Sequence, residues 1–405
     1  MSAADDALDV VVVGAGFAGL YALHKFRRQG LSVRVFEAAP DVGGTWYFNR
    51  YPGARCDVES VDYSYSFSDE LQQEWTWTEK YAAQPEILAY LNWVADKLDL
   101  RRDITFGTRV SSAVLDETTL RWSVTTDDGQ TVTTRFVVMA TGALSSAITP
   151  VFDGLEDFGG EVYHTAHWPH EGVDFTDQRV AVVGTTKLTF AVSPEERREA
   201  FEKRWRLGGV LYSKTFPDQL TISDANDEAR RYTSDAHIDL DAIVFATGFD
   251  ALTGSLGTID IVGRGGERLR DDWADGPRSY LGLGDDGFPN LFVITGPGAP
   301  AVLANMVLHA ESHVDWIADA IGYLDAHGYA GIEATPEAVE NWLAELNQRA
   351  ATTLFPRANS WYLGANVPGK PRVFMLFIGG FGVYNDICAE VAAAGYKGFA
   401  LTKAG

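Results

Sequence analysis

The chain has 405 residues, of which 46% are hydrophobic and 22% charged, the usage of a folded globular protein rather than a disordered or fibrous one. Its 33 Lys plus Arg face 56 Asp plus Glu, and a net charge of -23 repels phosphate backbones at long range, which excludes nucleic acid as a partner. Two cysteines, Cys56 and Cys388, form neither a disulfide framework nor a metal-type CxxC pair; with no signal-like N-terminus and no apolar run approaching about 18 residues, they predict a cytoplasmic protein with no metal and no membrane partner.

At roughly 150 residues per domain the length allows two or three domains. Asp9-Val-Val-Val-Val13 reads as a buried parallel strand that meets Gly14-Ala-Gly16-Phe-Ala-Gly19 at the start of a helix, Leu20 to Gln29, ended by Gly30. Leu31 to Glu37 alternates into a second strand, which completes a β-α-β unit with an acid at its end. In that setting Gly14 allows a tight turn, Gly16 admits a pyrophosphate close to the backbone, Gly19 lets the helix pack on the strand, and the helix N-terminus favours the anion. Glu37, 18 residues past Gly19, can accept both ribose hydroxyls of an adenosine and would repel a 2'-phosphate. The ligand of this unit is therefore FAD or NAD rather than NADP. Gly43-Gly44-Thr45-Trp46 comes next, a glycine pair that lets backbone run beside a flavin ring.

Three later apolar strands, Arg135 to Gly142, Ala242 to Gly248 and Leu291 to Gly296, run into Thr-Gly turns. Such strands alternating with helices predict a doubly wound α/β sheet. Ser193 with Glu196 opens a charged surface helix through Arg206, whereas Asp218 to Asp235 is polar and unpatterned. Helical patterns over 303–323 and 336–352 precede a Gly- and aromatic-rich stretch from Trp361 to Phe381.

The segment Phe158-Gly-Gly160-Glu-Val-Tyr-His164-Thr-Ala-His-Trp168-Pro169 matches the fingerprint of type I Baeyer-Villiger monooxygenases: Phe, Gly two on, His four further, then Trp and Pro. With Asn49 to Ser60, Ala246 to Gly254 and Ser360 to Arg372 as supporting stretches, the chain resembles that flavoprotein family over residues 8–183 and 240–402. Within it the resemblance is to the cyclic-ketone branch typified by cyclohexanone monooxygenase. It implies an α/β fold of two dinucleotide-binding (Rossmann-like) domains, FAD as bound cofactor, NADPH as reductant, and O2 as oxidant of a ketone that becomes an ester or lactone. The corresponding boundaries are 1–150 for the first part of the FAD domain, 151–240 for the fingerprint linker and NADPH region, and 241–405 for the FAD-domain return and ketone pocket. That chemistry needs a dry pocket and a cation beside the reacting oxygen.

Carried over position by position, the resemblance implies cofactor contacts from Gly14, Gly16, Phe17, Ala18, Gly19, Glu37, Gly44, Thr45, Trp46, Asp57, Tyr63, Thr141, Gly142, Asn305 and Met306. It implies a ketone pocket lined by Val302, Leu303 and Phe249, with Met306 beside them. Three residues match its catalytic machinery. Asp57, beside Arg55, matches the carboxylate that orients a flavin-side arginine; His164 matches the linker histidine that supports coenzyme-driven motion; Trp361 matches the C-terminal-loop tryptophan that closes over the coenzyme. Without the resemblance these side chains read as a loop ion pair, a hydrogen-bonded structural histidine and a core aromatic, and the apolar positions read as core.

The chain departs from the family after Arg179-Val-Ala-Val-Val183, where Gly184-Thr-Thr-Lys-Leu-Thr stands in place of a second Gly-x-Gly-x-x-Gly. About sixty residues separate that strand from Ala242, too few for a full nucleotide domain of typical size plus the usual helical insert. The expectation is an intact FAD domain and a shortened NADPH domain, or else a sequence that joins segments of a longer protein; the two read alike. No residue matches the family's catalytic arginine or its 2'-phosphate readers; Arg204, Arg206, Arg230 and Arg231 read as a solvated helix face and loop. Two rival functions stand beside ketone oxygenation: amine or sulfide oxygenation on the same flavin, or FAD binding with NADPH reduction lost or impaired.

Overall fold

A computed structural model describes residues 7–150, 154–184, 239–357 and 360–404. The expected helix over 193–206, the stretch 218–235, the residues after Gly184, and the four arginines named above lie outside the described residues.

The first half supplies β1 (Leu8–Val13), β2 (Val33–Phe36), β3 (Ile104–Thr105), β4 (Val110–Asp116), β5 (Arg121–Thr126) and β6 (Thr131–Met139). The fingerprint linker and its flanks give β7 (Glu161–His164), β8 (Val180–Gly184) and β9 (Ala242–Ala246). The rest gives β10 (Asp260–Val262), β11 (Leu291–Val293), β12 (Tyr329–Ala334) and β13 (Phe399–Lys403). Among the helices, α1 spans Phe17–Arg28, α2 Thr45–Phe48, α3 Asp69–Glu74 and α4 Gln84–Lys97.

One sheet runs β10-β4-β5-β6-β1-β2-β3, with β11 also paired to β6. β1 lies between β2 and β6, parallel to both. Val10 and Val12 pack on one of its faces and Val11 and Val13 on the other, all buried. A strand covered on both faces has no use for polar alternation, hence the unbroken run of valines. On α1, Leu20, Leu23 and Phe26 turn inward, while Lys25, Arg27 and Arg28 gather in the last turn, where cations complement the helix dipole. Gly30, at φ +82°, closes the turn into β2.

The long helix Met306–His327 lies against α1. Tyr21 Oη donates to Asp315 Oδ1 at 2.7 Å, and Lys25 Nζ pairs with the same oxygen at 2.6 Å. This helix begins at Met306 rather than 303 because a short 3-10 turn, Ala301–Leu303, precedes it and Asn305 restarts the chain as its N-cap. The second C-terminal helix, Pro336–Ala351, is capped by Thr335 and carries Pro336 in its first turn, where a missing N–H costs nothing.

β9 corrects the expected boundary. It pairs with β7 and β8, parallel to both, in a separate three-stranded sheet. The return to the first sheet therefore comes after β9, at β10, and not at residue 241.

Candidate active site

The carboxyl end of β1 feeds a turn that only glycine can make. Gly14 sits at φ +106°, and a Cβ there would lie 2.6 Å from the Ala140 carbonyl oxygen. A Cβ on Gly19 would lie 1.8 Å from the Gly14 oxygen, so α1 seats directly on the turn. Leu20 is the first residue whose N–H bonds back into α1, to Gly16 O at 3.0 Å. The amides of Phe17, Ala18 and Gly19 therefore have no intrahelical acceptor and point out of the helix N-terminus. A backbone cradle that a Cβ would fill, facing unsatisfied amides, fits a dinucleotide pyrophosphate.

Glu37, at the end of β2, is 4% exposed and closes this turn from the side. Ala15 N–H donates to its Oε2 at 2.6 Å and Ala39 N–H to its Oε1 at 2.7 Å. Burial pushes its carboxyl above the ordinary value, and the two amides and Arg109 work against that shift. Each oxygen keeps a lone pair for a ribose hydroxyl. Gly43 N–H donates to Ala15 O at 3.0 Å, which brings the second glycine loop down over the first.

Thr45 opens α2 beside that loop, and Trp46 turns inward. Trp46 Nε1 donates to Tyr63 Oη at 3.2 Å. Phe17 meets Tyr63 and Tyr65 edge-on at 5.1 and 5.2 Å between centroids, and Tyr65 Oη donates to Phe17 O at 2.6 Å. Burial raises the Tyr63 hydroxyl, which keeps it protonated as a donor. Phe17, Trp46 and Tyr63 thus form one aromatic wall next to Gly16 and Gly44. Thr141 and Gly142 come after β6, at the same end of the sheet, and Ser255 Oγ donates to Thr141 Oγ1 at 3.0 Å.

Asn305 spends its side chain on structure. Its Oδ1 accepts from Val307 and Leu308 N–H at 2.9 and 3.3 Å, and its Nδ2 donates to the Asp62 carbonyl. Val302, Met306 and Trp361 pack into one apolar cluster with Leu144, Leu363 and Phe374. Leu303 does not join them and is 40% exposed. Phe249 is partly buried, and its carbonyl accepts from Asn366 Nδ2 at 2.9 Å.

The Arg55–Asp57 pairing is not formed. Arg55 pairs instead with Glu79 and donates to the Tyr81 carbonyl. Asp57 is exposed, and its charge acts on Cys56, Tyr63 and Tyr362, which places it between the aromatic wall and the C-terminal loop.

His164 ends β7 at 8% exposed. Its Nδ1 accepts from Ala166 N–H at 3.0 Å, while Nε2 lies 3.1 Å from the Ile148 carbonyl and 3.2 Å from Thr247 Oγ1. Burial lowers its pKa, so the ring is neutral with its proton on Nε2. Ile148 lies on the connector leaving the first sheet and Thr247 on the one returning to it, and His164 holds both. Trp168, Pro169 and His170 of the same segment close a groove of about 540 Å³ against Arg50, Gln84 and Asn92.

The residues missed in the sequence fasten loops. Lys370 pairs with Asp250 and donates to Thr253 Oγ1 at 2.5 Å; with Asn366 it pins the C-terminal loop that carries Trp361. Their only signal was membership of the matched stretch Ser360 to Arg372.

Residues 7–203 match the family model described as flavin-binding monooxygenase-like. The chain is 35% identical to the acetone monooxygenase (methyl acetate-forming) of Gordonia sp. (strain TY-5), over 98% of this chain and 99% of that one. That alignment runs over 528 positions although the chain has 405 residues, so more than a hundred positions carry no residue of this chain. Among solved structures, an oxidized steroid monooxygenase bound to NADP superposes with a TM-score of 0.84 at 50% identity, covering 98% of this chain and 100% of that one. The cyclohexanone monooxygenase of Rhodococcus sp. Phi1 bound to NADP+ gives 0.86 at 33% identity, covering 98% and 99%.

Proposed function

The chain belongs to the Baeyer-Villiger monooxygenases, and on that premise we propose that it uses FAD, NADPH and O2 to convert a bulky, apolar, cyclic ketone into its lactone or ester. The observation that carries the reading is the joining of two features. A glycine cradle shaped for a dinucleotide opens beside an apolar cluster made by Val302, Met306 and Trp361. The 50% identity to a steroid monooxygenase favours a large substrate over a small one.

When bound, FAD supplies the redox chemistry that activates O2. The chain's own residues hold and shield it. The amides of Phe17, Ala18 and Gly19 receive the pyrophosphate, and Glu37 accepts the ribose hydroxyls. Phe17, Trp46 and Tyr63 wall the glycine turn off from water, which raises the strength of every charge interaction inside. Asp57 offers a carboxylate between that wall and the C-terminal loop, and Trp361 stands on the loop that covers the ketone side. His164 couples the two connectors between the sheets, so a movement of the second sheet is felt at the first. We assign the shortening of the chain to the NADPH domain, between β8 and β9, where the second glycine motif is incomplete.

The test is product analysis. FAD-loaded protein with NADPH, O2 and a steroid ketone or cyclohexanone should give lactone or ester and consume NADPH in step with product. Oxygenation of an amine or sulfide without any lactone or ester from the ketone would overturn the reading in favour of heteroatom chemistry.

A further inference from the structure

We propose that His309, His313 and Tyr384 form a buried hydrogen-bonded ladder that positions the turn Thr295–Ala301, and through it the ketone-facing residues Val302 and Met306. The proposal rests on the pocket reading above for those two residues.

His309 and His313 stand one turn apart on the long helix, 0% and 1% exposed, and Tyr384 on the helix Phe381–Ala393 is 0% exposed. Thr295 N–H donates to His313 Nδ1 at 3.1 Å, so the His313 proton resides on Nε2. That nitrogen lies 2.6 Å from Tyr384 Oη, and the hydroxyl in turn donates at 2.5 Å to the Leu281 carbonyl. His309 Nε2 is 3.0 Å from the same His313 nitrogen. The single His313 Nε2 proton is shared between Tyr384 Oη and His309 Nε2, both acceptors here, so the proton of His309 itself is on Nδ1. This Nδ1 is buried with no hydrogen-bond partner among the described residues, and the polar group it faces is the Ala301 backbone. Burial keeps both rings neutral, as this tautomer chain requires.

The turn needs such support. Thr295 sits at φ +53°, Gly298 at +93° and Ala301 at +43°. Left-handed conformations at Thr and Ala are strained and persist only where the surroundings impose them. The turn then leads directly into Val302 and Met306, which touch the Trp361 cluster. Three side chains with no route to solvent are thus committed to the geometry of one turn, whose continuation is the apolar wall of the site.

Ketone binding to the oxidised, FAD-loaded protein reads this without NADPH. Calorimetric titration with progesterone and with cyclohexanone should show Tyr384→Phe weakening ketone binding by about threefold and His313→Leu by about tenfold, because the phenylalanine variant keeps the His313 contact to Thr295 and the leucine variant loses it. His313→Asn, whose side-chain oxygen can replace Nδ1 towards Thr295, should restore most of the affinity lost in the leucine variant. FAD affinity should stay within about twofold throughout. Unchanged ketone affinity in both Tyr384→Phe and His313→Leu overturns the ladder, and so does a parallel loss of FAD, which would make it plain core. Met306→Ala separates the two readings: if it leaves ketone affinity unchanged, the pocket assignment has failed, whereas a change there with none in the ladder variants condemns the ladder alone. Tyr384→Phe removes one oxygen from a ring of the same shape, so the test stands even where His313→Leu does not fold.

Discussion

Gly16 and Gly44 meet backbone to backbone: a Cβ on Gly16 would lie 3.4 Å from Gly44 Cα, and one on Gly44 would lie 2.9 Å from Gly16 Cα. The two positions differ in their own conformations. Gly16 has φ -82°, which any residue adopts, whereas Gly44 has φ +51°. Gly16→Ala should therefore fold with near-normal thermal stability and still lose its yellow colour, because the added methyl enters the space the pyrophosphate needs. Gly44→Ala adds backbone strain of about 1 kcal/mol and should lose stability as well as FAD. The flavin-to-protein absorbance ratio, read beside the melting temperature, checks both. Full FAD occupancy in Gly16→Ala would remove the site from this turn.

Glu37 is held by two amides, from Ala15 at 2.6 Å and Ala39 at 2.7 Å. Glu37→Gln turns an NH2 group towards one of these donors and leaves it buried without an acceptor, at a cost of about 1–3 kcal/mol. The apoprotein should melt at a lower temperature, and its FAD affinity should fall by about tenfold as a ribose acceptor is lost. A variant that melts early yet binds FAD normally would make Glu37 a fastener of the turn and nothing more.

The β1–α1–β2 unit was legible because each residue in it answers a separate physical demand. Gly14 must be left-handed, Gly19 must lack a Cβ, and an acid must end β2. The partner of Arg55 was not legible. Arg55 makes an isolated β-bridge with Ala83, and the segment leading up to that bridge decides what its side chain meets; Glu79 lies on that segment. The membership of β9 was hidden for a similar reason, since a short apolar strand looks alike in either sheet and only its pairing with β7 and β8 distinguishes them. Asn305 matches a cofactor-contacting position of the family, and its amide bonds to the cap of the long helix and to Asp62. A capping Asn and a ligand Asn carry the same signature before a helix.

Asp285 offers a pH-dependent test away from the cofactor. It is 5% exposed, receives Trp273 Nε1 at 2.6 Å and Asp286 N–H at 3.0 Å, and has Asp272, Asp286 and Arg278 as charged neighbours. Burial, reinforced by the neighbouring carboxylates, pushes it up to about 8. A carboxyl raised in the folded state holds its proton where the unfolded chain has released it. Its contribution is complete below the ordinary carboxyl value and is lost as pH rises through about 8. Asp285→Asn cannot ionise, so its melting temperature relative to the parent should climb steadily from pH 5 to about 9. A difference that stays flat over that range would mean Asp285 is ionised throughout.

His164 lies within hydrogen-bond reach of both the Ile148 carbonyl and Thr247 Oγ1, and Thr247 Oγ1 itself donates to Ile148 O at 2.6 Å. The three form a clasp across the connectors between the two sheets. His164→Ala should leave FAD bound and the flavin fully reducible by dithionite, because nothing in the glycine cradle touches it. Reduction by NADPH under anaerobic stopped-flow conditions should slow by about tenfold or more, since coenzyme movement in the second sheet no longer reaches the first. The parent protein provides the reference: bleaching by NADPH means the chain still delivers hydride from the coenzyme, and the clasp can be graded against that rate. Where the parent bleaches with dithionite alone, the FAD domain is sound, the shortening we assign between β8 and β9 accounts for the lost reductant, and His164→Ala should then change nothing.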